Sequence, residues 1–176
     1  LLPDGLPDLI LSPCDLPPAN SHIKISGPNV LYSHAPLSQP AASNLHDEAY
    51  LMFTSGTTGQ PKGIVITIEN ILHLLTTLQR RYQFIPKDRF SQAFELTFDL
   101  SVFDIFMALR AGASLHVIPE PHMSTPAHFI QQHQLTVWFS VPSLIGMLKH
   151  VKLLRTNSFP SLRLSLFCGE ALPEGL

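Results

Sequence analysis

Ten residues, TSGTTGQPKG at positions 54–63, gather three glycines, four hydroxyls and one lysine. Glycines let main-chain N–H groups turn toward an anion, and hydroxyls and an ammonium add donors, so the composition is that of a phosphate cradle. A Walker loop would place glycine directly before the lysine, Ser or Thr directly after it, and then a helix whose N-terminus faces the phosphate. Here Pro61 precedes Lys62, Gly63 follows it, and β-branched IVIT comes next. Without a helix dipole, the hydroxyls of Thr54, Ser55, Thr57 and Thr58 and the amides around Gly56 and Gly59 would wrap a polyphosphate. Lys62 would offset its charge, and loop closure would do the rest.

Two further stretches carry candidate chemistry. In FDLSVFDIF (98–106) the spacing of Ser101 and Asp104 predicts a capping box, with Ser101 as N-cap and Asp104 at the third helical position. That leaves Asp99 without a capping duty. It reads either as a solvated or capping loop aspartate, or as a carboxylate held at a strand-to-helix junction to pair with an ammonium group. In LFCGEALP (166–173), Cys168 reads as a buried cysteine at the end of a core strand, inert by packing, with no basic neighbour in sequence to activate it.

These residues need elements to hold them. YLMFT (50–54) and GIVIT (63–67) read as strands flanking the glycine loop, and Ile68, Ile71, Leu72, Leu75 and Leu78 then recur at helical spacing. Thr67 is the expected N-cap of that helix, and Arg80 and Arg81 suit its C-terminus. A strand near FSQAF, a helix over about 101–110, a strand at SLHVI and a helix over 126–134 follow. TVWFS, SLIGMLKHV and LRLSLF continue as strand, helix and strand. Alternation of this kind predicts an α/β fold of layered sheets with flanking helices, mostly parallel, with ligands at the carboxyl ends of the strands. Residues 1–48, rich in Pro, Ser and Asn, read as a loop-rich lead-in with two short strands, at LILS and VLYS, before a core over 49–176.

Composition narrows the classes. A net charge of -2 without a basic block argues against nucleic acid. Charged residues make up 14%, against a usual share of about 25%, which suggests a surface normally covered by more protein. Cys14 and Cys168 form neither a disulfide framework nor a metal site, and a reducing, cytoplasmic setting is expected. The spacing of the nine histidines, His116, His122, His128 and His133 among them, matches no zinc pattern. No apolar run reaches the roughly 18 residues of a membrane span. The chain begins without methionine and ends as EALPEGL starts a new element, so it reads as an excised piece.

The segment YLMFTSGTTGQPKGIVIT resembles the signature loop of the adenylate-forming, AMP-binding superfamily. The resemblance implies ATP and Mg2+ as cofactors, conversion of a carboxylate to an acyl-adenylate with release of pyrophosphate, and transfer to a thiol. Lys62 would act catalytically on the phosphates and Thr54 would help hold the metal. Where acyl-CoA synthetases often place a histidine two residues before an asparagine, Ile68 precedes Glu69 and Asn70. FDxS is typical of members that activate amino acids, whose aspartate holds the α-amino group, so Asp99 implies an amino-acid substrate and argues against an acyl-CoA ligase. Gly169, Glu170 and Ala171 would line the adenosine. The form FCGE, with FDLSVFDI and VWFSVPS, is most similar to the branch that loads D-alanine onto the phosphopantetheine thiol of a carrier protein, with Cys168 narrowing the side-chain pocket. A peptide-synthetase adenylation domain and a non-catalytic nucleotide-binding homologue are the alternatives. Further segments, including a mobile C-terminal domain with a catalytic lysine, would lie downstream, so this stretch alone is not expected to complete a turnover.

Overall fold

The computed structural model describes residues 9–11, 24–26, 39, 42–54, 62–123 and 126–174. Strands β1 (Leu9–Leu11) and β2 (Lys24–Ser26) pair in parallel. The first matches the expected LILS strand, the second falls where none was expected, and VLYS lies outside the described residues. Strands β3 (Glu48–Thr54) and β4 (Lys62–Thr67) form an antiparallel ribbon in which Thr54 stands opposite Lys62. The ends of the glycine loop are therefore held together by a strand ladder, as the flanking apolar runs suggested.

Helix α1 (Ile68–Tyr82) begins at Thr67, whose Oγ1 accepts from the Asn70 amide while the Asn70 side chain accepts from the Thr67 amide. That reciprocal pair satisfies two N–H groups that a helix end leaves orphaned. Arg80 and Arg81 occupy the last turn, where cations complement the dipole.

A four-stranded parallel sheet follows, built from β5 (Arg89–Gln92), β6 (Ser114–Val117), β7 (Val137–Ser140) and β8 (Leu164–Phe167), in the order β6-β5-β7-β8. Its connections carry α2 (Leu100–Ala111), α3 (Glu120–Met123), α4 (Ala127–Gln132) and α5 (Pro142–His150). Val137 and Phe139 join one apolar cluster with Leu75, Phe90 and Met107, while Trp138 between them joins another with Ile130 and Leu135. Alternate residues of β7 thus face two apolar layers, which is why the strand carries hydrophobic residues on both faces. Helix α2 ends at Gly112, whose φ of 66° lets its amide reach back to the Ala108 and Leu109 carbonyls.

Two sequence expectations fail here. The N-cap of α2 is Asp99, with no side-chain cap hydrogen bond; Ser101 lies inside the helix and its Oγ donates to the Phe98 carbonyl at 2.7 Å. Asp104 is completely buried, so it cannot reach back as a capping acid. The spacing of a capping box was present, but the helix begins two residues earlier than that box requires, and Asp104 lies in the core. The second correction concerns Cys168, which is exposed just beyond β8 rather than buried in it. Phe98, Leu109 and Val117 are also exposed, in keeping with the scarcity of charge.

Candidate active site

At the amino ends of the parallel strands, Asp88 is 2% exposed and fully satisfied. It accepts from the Ile85 amide at 2.9 Å, from Thr136 Oγ1 at 2.7 Å, and from Arg163 through Nε at 2.8 Å and Nη2 at 2.5 Å. Burial pushes its carboxyl pKa up, but these hydrogen bonds and the guanidinium charge outweigh that, and it lies below its ordinary value. The fork joins the loop before β5 to the starts of β7 and β8. Sequence reasoning missed it, because the partners stand 75 residues apart.

The carboxyl ends look different. Strand β5 has β6 on one side and β7 on the other, so the chain's course reverses there and a crevice opens outside the strand ends. On the β7 side a cavity of about 510 Å3 lies between Phe94 and Phe98, after β5, and Val141, Ser143 and Met147, after β7. On the β6 side a cavity of about 600 Å3 is bounded by Gln92, Ile105, Val117 and Glu120. Ala93, Phe94, Glu95 and Met123 border both, so the two form one trough.

Asp99 stands next to Phe98 at the head of α2, exposed and uncapped. Tyr50 on β3 has its pKa raised by burial and also by the negative charge of Asp99, which brings the hairpin carrying the glycine loop and this carboxylate into electrostatic reach. One turn into α2, Phe103 meets Phe139 edge-on at 4.9 Å, and Phe94 meets Phe139 at the same separation. These rings belong to one apolar cluster, and Phe94 also lines the cavities. Trp138 lies in the core as expected, its Nε1 donating to Ser140 Oγ at 2.8 Å.

Buried beneath the trough, Asp104 has both carboxyl oxygens without hydrogen-bond partners. Burial pushes its pKa to about 8, and the Ala93 backbone amide, outside bonding geometry, counters this only in part. Gln92 Oε1 is likewise buried and unpartnered, while its Nε2 donates to the Phe94 carbonyl. A signal for Asp104 was available: it stands four residues after Leu100 and three and four before Met107 and Ala108, on the apolar stripe that the helix buries.

Beyond β8, the Cys168 amide donates to the Ser140 carbonyl at 3.3 Å, and Gly169 adopts a φ of 86°. The Glu170 carboxylate accepts from the Ser143 amide and from Ser143 Oγ, each at 3.0 Å. Ser55, Gly56, Thr57, Thr58 and Gly59 lie outside the described residues, and Thr54 is described only through its place in β3. Lys62 is exposed at the first position of β4. Among the described residues no group of three or more His, Cys, Asp or Glu could hold a metal, and no helix is long and apolar enough to cross a membrane. His116 and His133 are half-buried, with ring centres 5.4 Å apart, so the histidines are not all on the surface.

Paired strands that bracket the glycine-rich segment, with Tyr50 of the first within electrostatic reach of Asp99, are the arrangement that a family comparison can decide. The model of the AMP-binding enzyme family matches residues 12–176. This chain belongs to that family. An L-proline–[L-prolyl-carrier protein] ligase of Pseudomonas fluorescens is 40% identical over 130 residues, which is 72% of this chain and 26% of that protein. Its namesake from Streptomyces coelicolor is 36% identical over 72% of this chain and 24% of its own length. The chain thus spans about a quarter of these carrier-protein ligases. Among solved structures, the Vibrio cholerae adenylation domain AlmE, in complex with glycyl-adenosine-5'-phosphate, is 46% identical over 73% of this chain and 24% of its own, with a TM-score of 0.70. A nonribosomal peptide synthetase in its AMPPNP-bound form is 26% identical, covering 94% of this chain and 18% of its own, with a TM-score of 0.75. The α/β architecture of an adenylation domain's N-terminal portion is therefore the fold of this AMP-binding chain.

Proposed function

We propose that this chain is the middle of the large N-terminal domain of a ligase that uses ATP to adenylate a small amino acid and passes it to the phosphopantetheine thiol of a carrier protein. The observation that carries this reading is Asp99, which follows the cavity-lining Phe98 at the N-cap position of α2 yet spends no side-chain hydrogen bond on the helix. A carboxylate so placed is available for the ammonium of an amino acid, and its charge has no use in an enzyme for fatty acids. Relatives named for prolyl and glycyl substrates and carrier proteins support the class.

In the proposed reaction Asp99 pairs with the α-ammonium and turns the substrate carboxylate toward the hairpin side. The carboxylate oxygen attacks the α-phosphorus of ATP, the bond to the bridging oxygen breaks, and pyrophosphate leaves. This step needs little proton transfer; positioning and charge neutralisation carry it. Lys62, with Thr54, Ser55, Gly56, Thr57, Thr58 and Gly59, would bind the phosphates. Gly169, Glu170 and Ala171 would border the adenosine. Magnesium would supply further charge neutralisation on the phosphates, with Thr54 as its candidate holder in this stretch.

The small substrate is read from the resemblance and from the glycyl and prolyl substrates named for relatives. Cys168, exposed just beyond β8, is the candidate for narrowing the side-chain pocket toward D-alanine. A peptide-synthetase unit for glycine or proline is the second reading, favoured by the glycyl-adenylate complex of the 46% identical structure. The test is amino-acid-dependent ATP–pyrophosphate exchange by the full-length protein with glycine, proline and both alanine enantiomers. Strongest exchange with D-alanine supports the first reading; glycine or proline in first place favours the second. If no amino acid stimulates exchange, the ligase assignment fails.

A further inference from the structure

We infer that Glu170 is a positioning residue, which locks the turn after β8 onto the first turn of α5 and so sets one wall of the amino-acid crevice. Helix α5 opens with Val141 at its N-cap, a residue without a polar side chain, and Pro142 at its first position. The next amide, that of Ser143, needs an acceptor that its own neighbours do not supply. Glu170, 27 residues away, accepts that amide through Oε2 and the Ser143 hydroxyl through Oε1. Its negative charge also suits a helix N-terminus.

One more contact fixes the register of the same pair of turns. The Cys168 amide donates to the Ser140 carbonyl. Gly169 takes a φ of 86°, which a side chain would strain, while the space beside it would admit a Cβ in ordinary contact with Val141 Cγ1 at 3.5 Å. Val141 and Ser143 line the crevice, while Cys168 hangs from the other turn. Both carboxylate oxygens of Glu170 accept from Ser143, which ties the side chain to the start of α5. A cap this exposed adds little to global stability, and its loss shows locally.

This inference rests on the ligase reading, and its test separates the two. In the full-length protein, Glu170→Ala, Glu170→Gln and Ser143→Ala are compared by amide hydrogen exchange without substrate, and by steady-state kinetics with the preferred amino acid. Glu170→Ala is expected to lose protection at the start of α5 and over 168–171, and to raise the amino-acid KM roughly tenfold with kcat within about threefold. Glu170→Gln, which keeps an acceptor, restores most of both. Ser143→Ala combined with Glu170→Ala adds nothing beyond Glu170→Ala alone, as expected of one coupled unit. Unchanged protection overturns the proposal, and so does a fall in kcat at constant KM, which would place Glu170 in the chemistry. If Glu170→Ala does not fold, the Gln and Ser143 variants carry the same comparison. If the wild type activates no amino acid, the ligase reading falls and hydrogen exchange alone decides whether the lock exists.

Discussion

Three aspartates within seventeen positions meet opposite fates at the two ends of one parallel sheet. At the amino ends Asp88 has every oxygen occupied, held by a guanidinium fork, a hydroxyl and an amide. At the carboxyl ends Asp99 is exposed, with no side-chain cap hydrogen bond, and Asp104 is buried with neither oxygen in a formed hydrogen bond. A carboxylate that is fully satisfied can only stabilise. One left unsatisfied either waits for a ligand or weakens the fold, so the sheet divides its labour between its ends.

The sharpest way to break this comparison is at Asp99. Asp99→Ala is expected to lower amino-acid-dependent exchange by roughly 100-fold or more, since it leaves a substrate ammonium unpaired, while thermal unfolding stays unchanged. Exchange at the wild-type rate would remove Asp99 from the site.

Next in size is the satisfied end. Arg163→Ala is expected to destabilise the protein by about 2–3 kcal/mol, the low side of breaking a buried pair because Arg163 is itself 38% exposed. Activity per folded molecule should hold, as measured by denaturant unfolding beside exchange kinetics. The folded pKa of Asp88 is depressed, so its contribution is present at neutral pH. It is lost as pH falls below 3.8 through the lowered value.

Asp104 has the opposite sign. Its folded pKa is raised from 3.8 to about 8, so between those values the folded state binds a proton that the unfolded state has released, and stability falls as pH rises. Asp104→Asn should flatten that slope and add roughly 2 kcal/mol at pH 8. Equal slopes for variant and wild type would show that Asp104 ionises normally.

The smallest effect belongs to the turn after β8. Cys168→Ala should change discrimination between alanine enantiomers by only a few fold, since the change is about one sulfur's worth of volume. Unchanged discrimination would remove the cysteine from the specificity of the pocket.

Much of the scaffold was legible before any coordinates. The hairpin around the glycine loop, the Thr67 cap and the alternation from β5 to β8 follow from periodicities and caps that act within a few residues. The same locality explains the errors. Ser101 and Asp104 have the spacing of a capping box, but the frame of α2 against β5 turned Asp104 inward and left the N-cap to Asp99. Cys168 reads as the end of a core strand, yet β8 stops at Phe167 and the chain turns outward.

From the residues alone came the order of strands and helices, and the expectations that TSGTTGQPKG cradles a polyphosphate and that Asp99 serves a ligand. Only the tertiary structure joined Asp88 to Arg163 across 75 residues and Ser143 to Glu170 across 27, and opened the crevice between β5 and β7. The reason is range. Hydrogen-bonding partners and burial are set by which elements the sheet brings together, and no local pattern records its neighbours across the sheet.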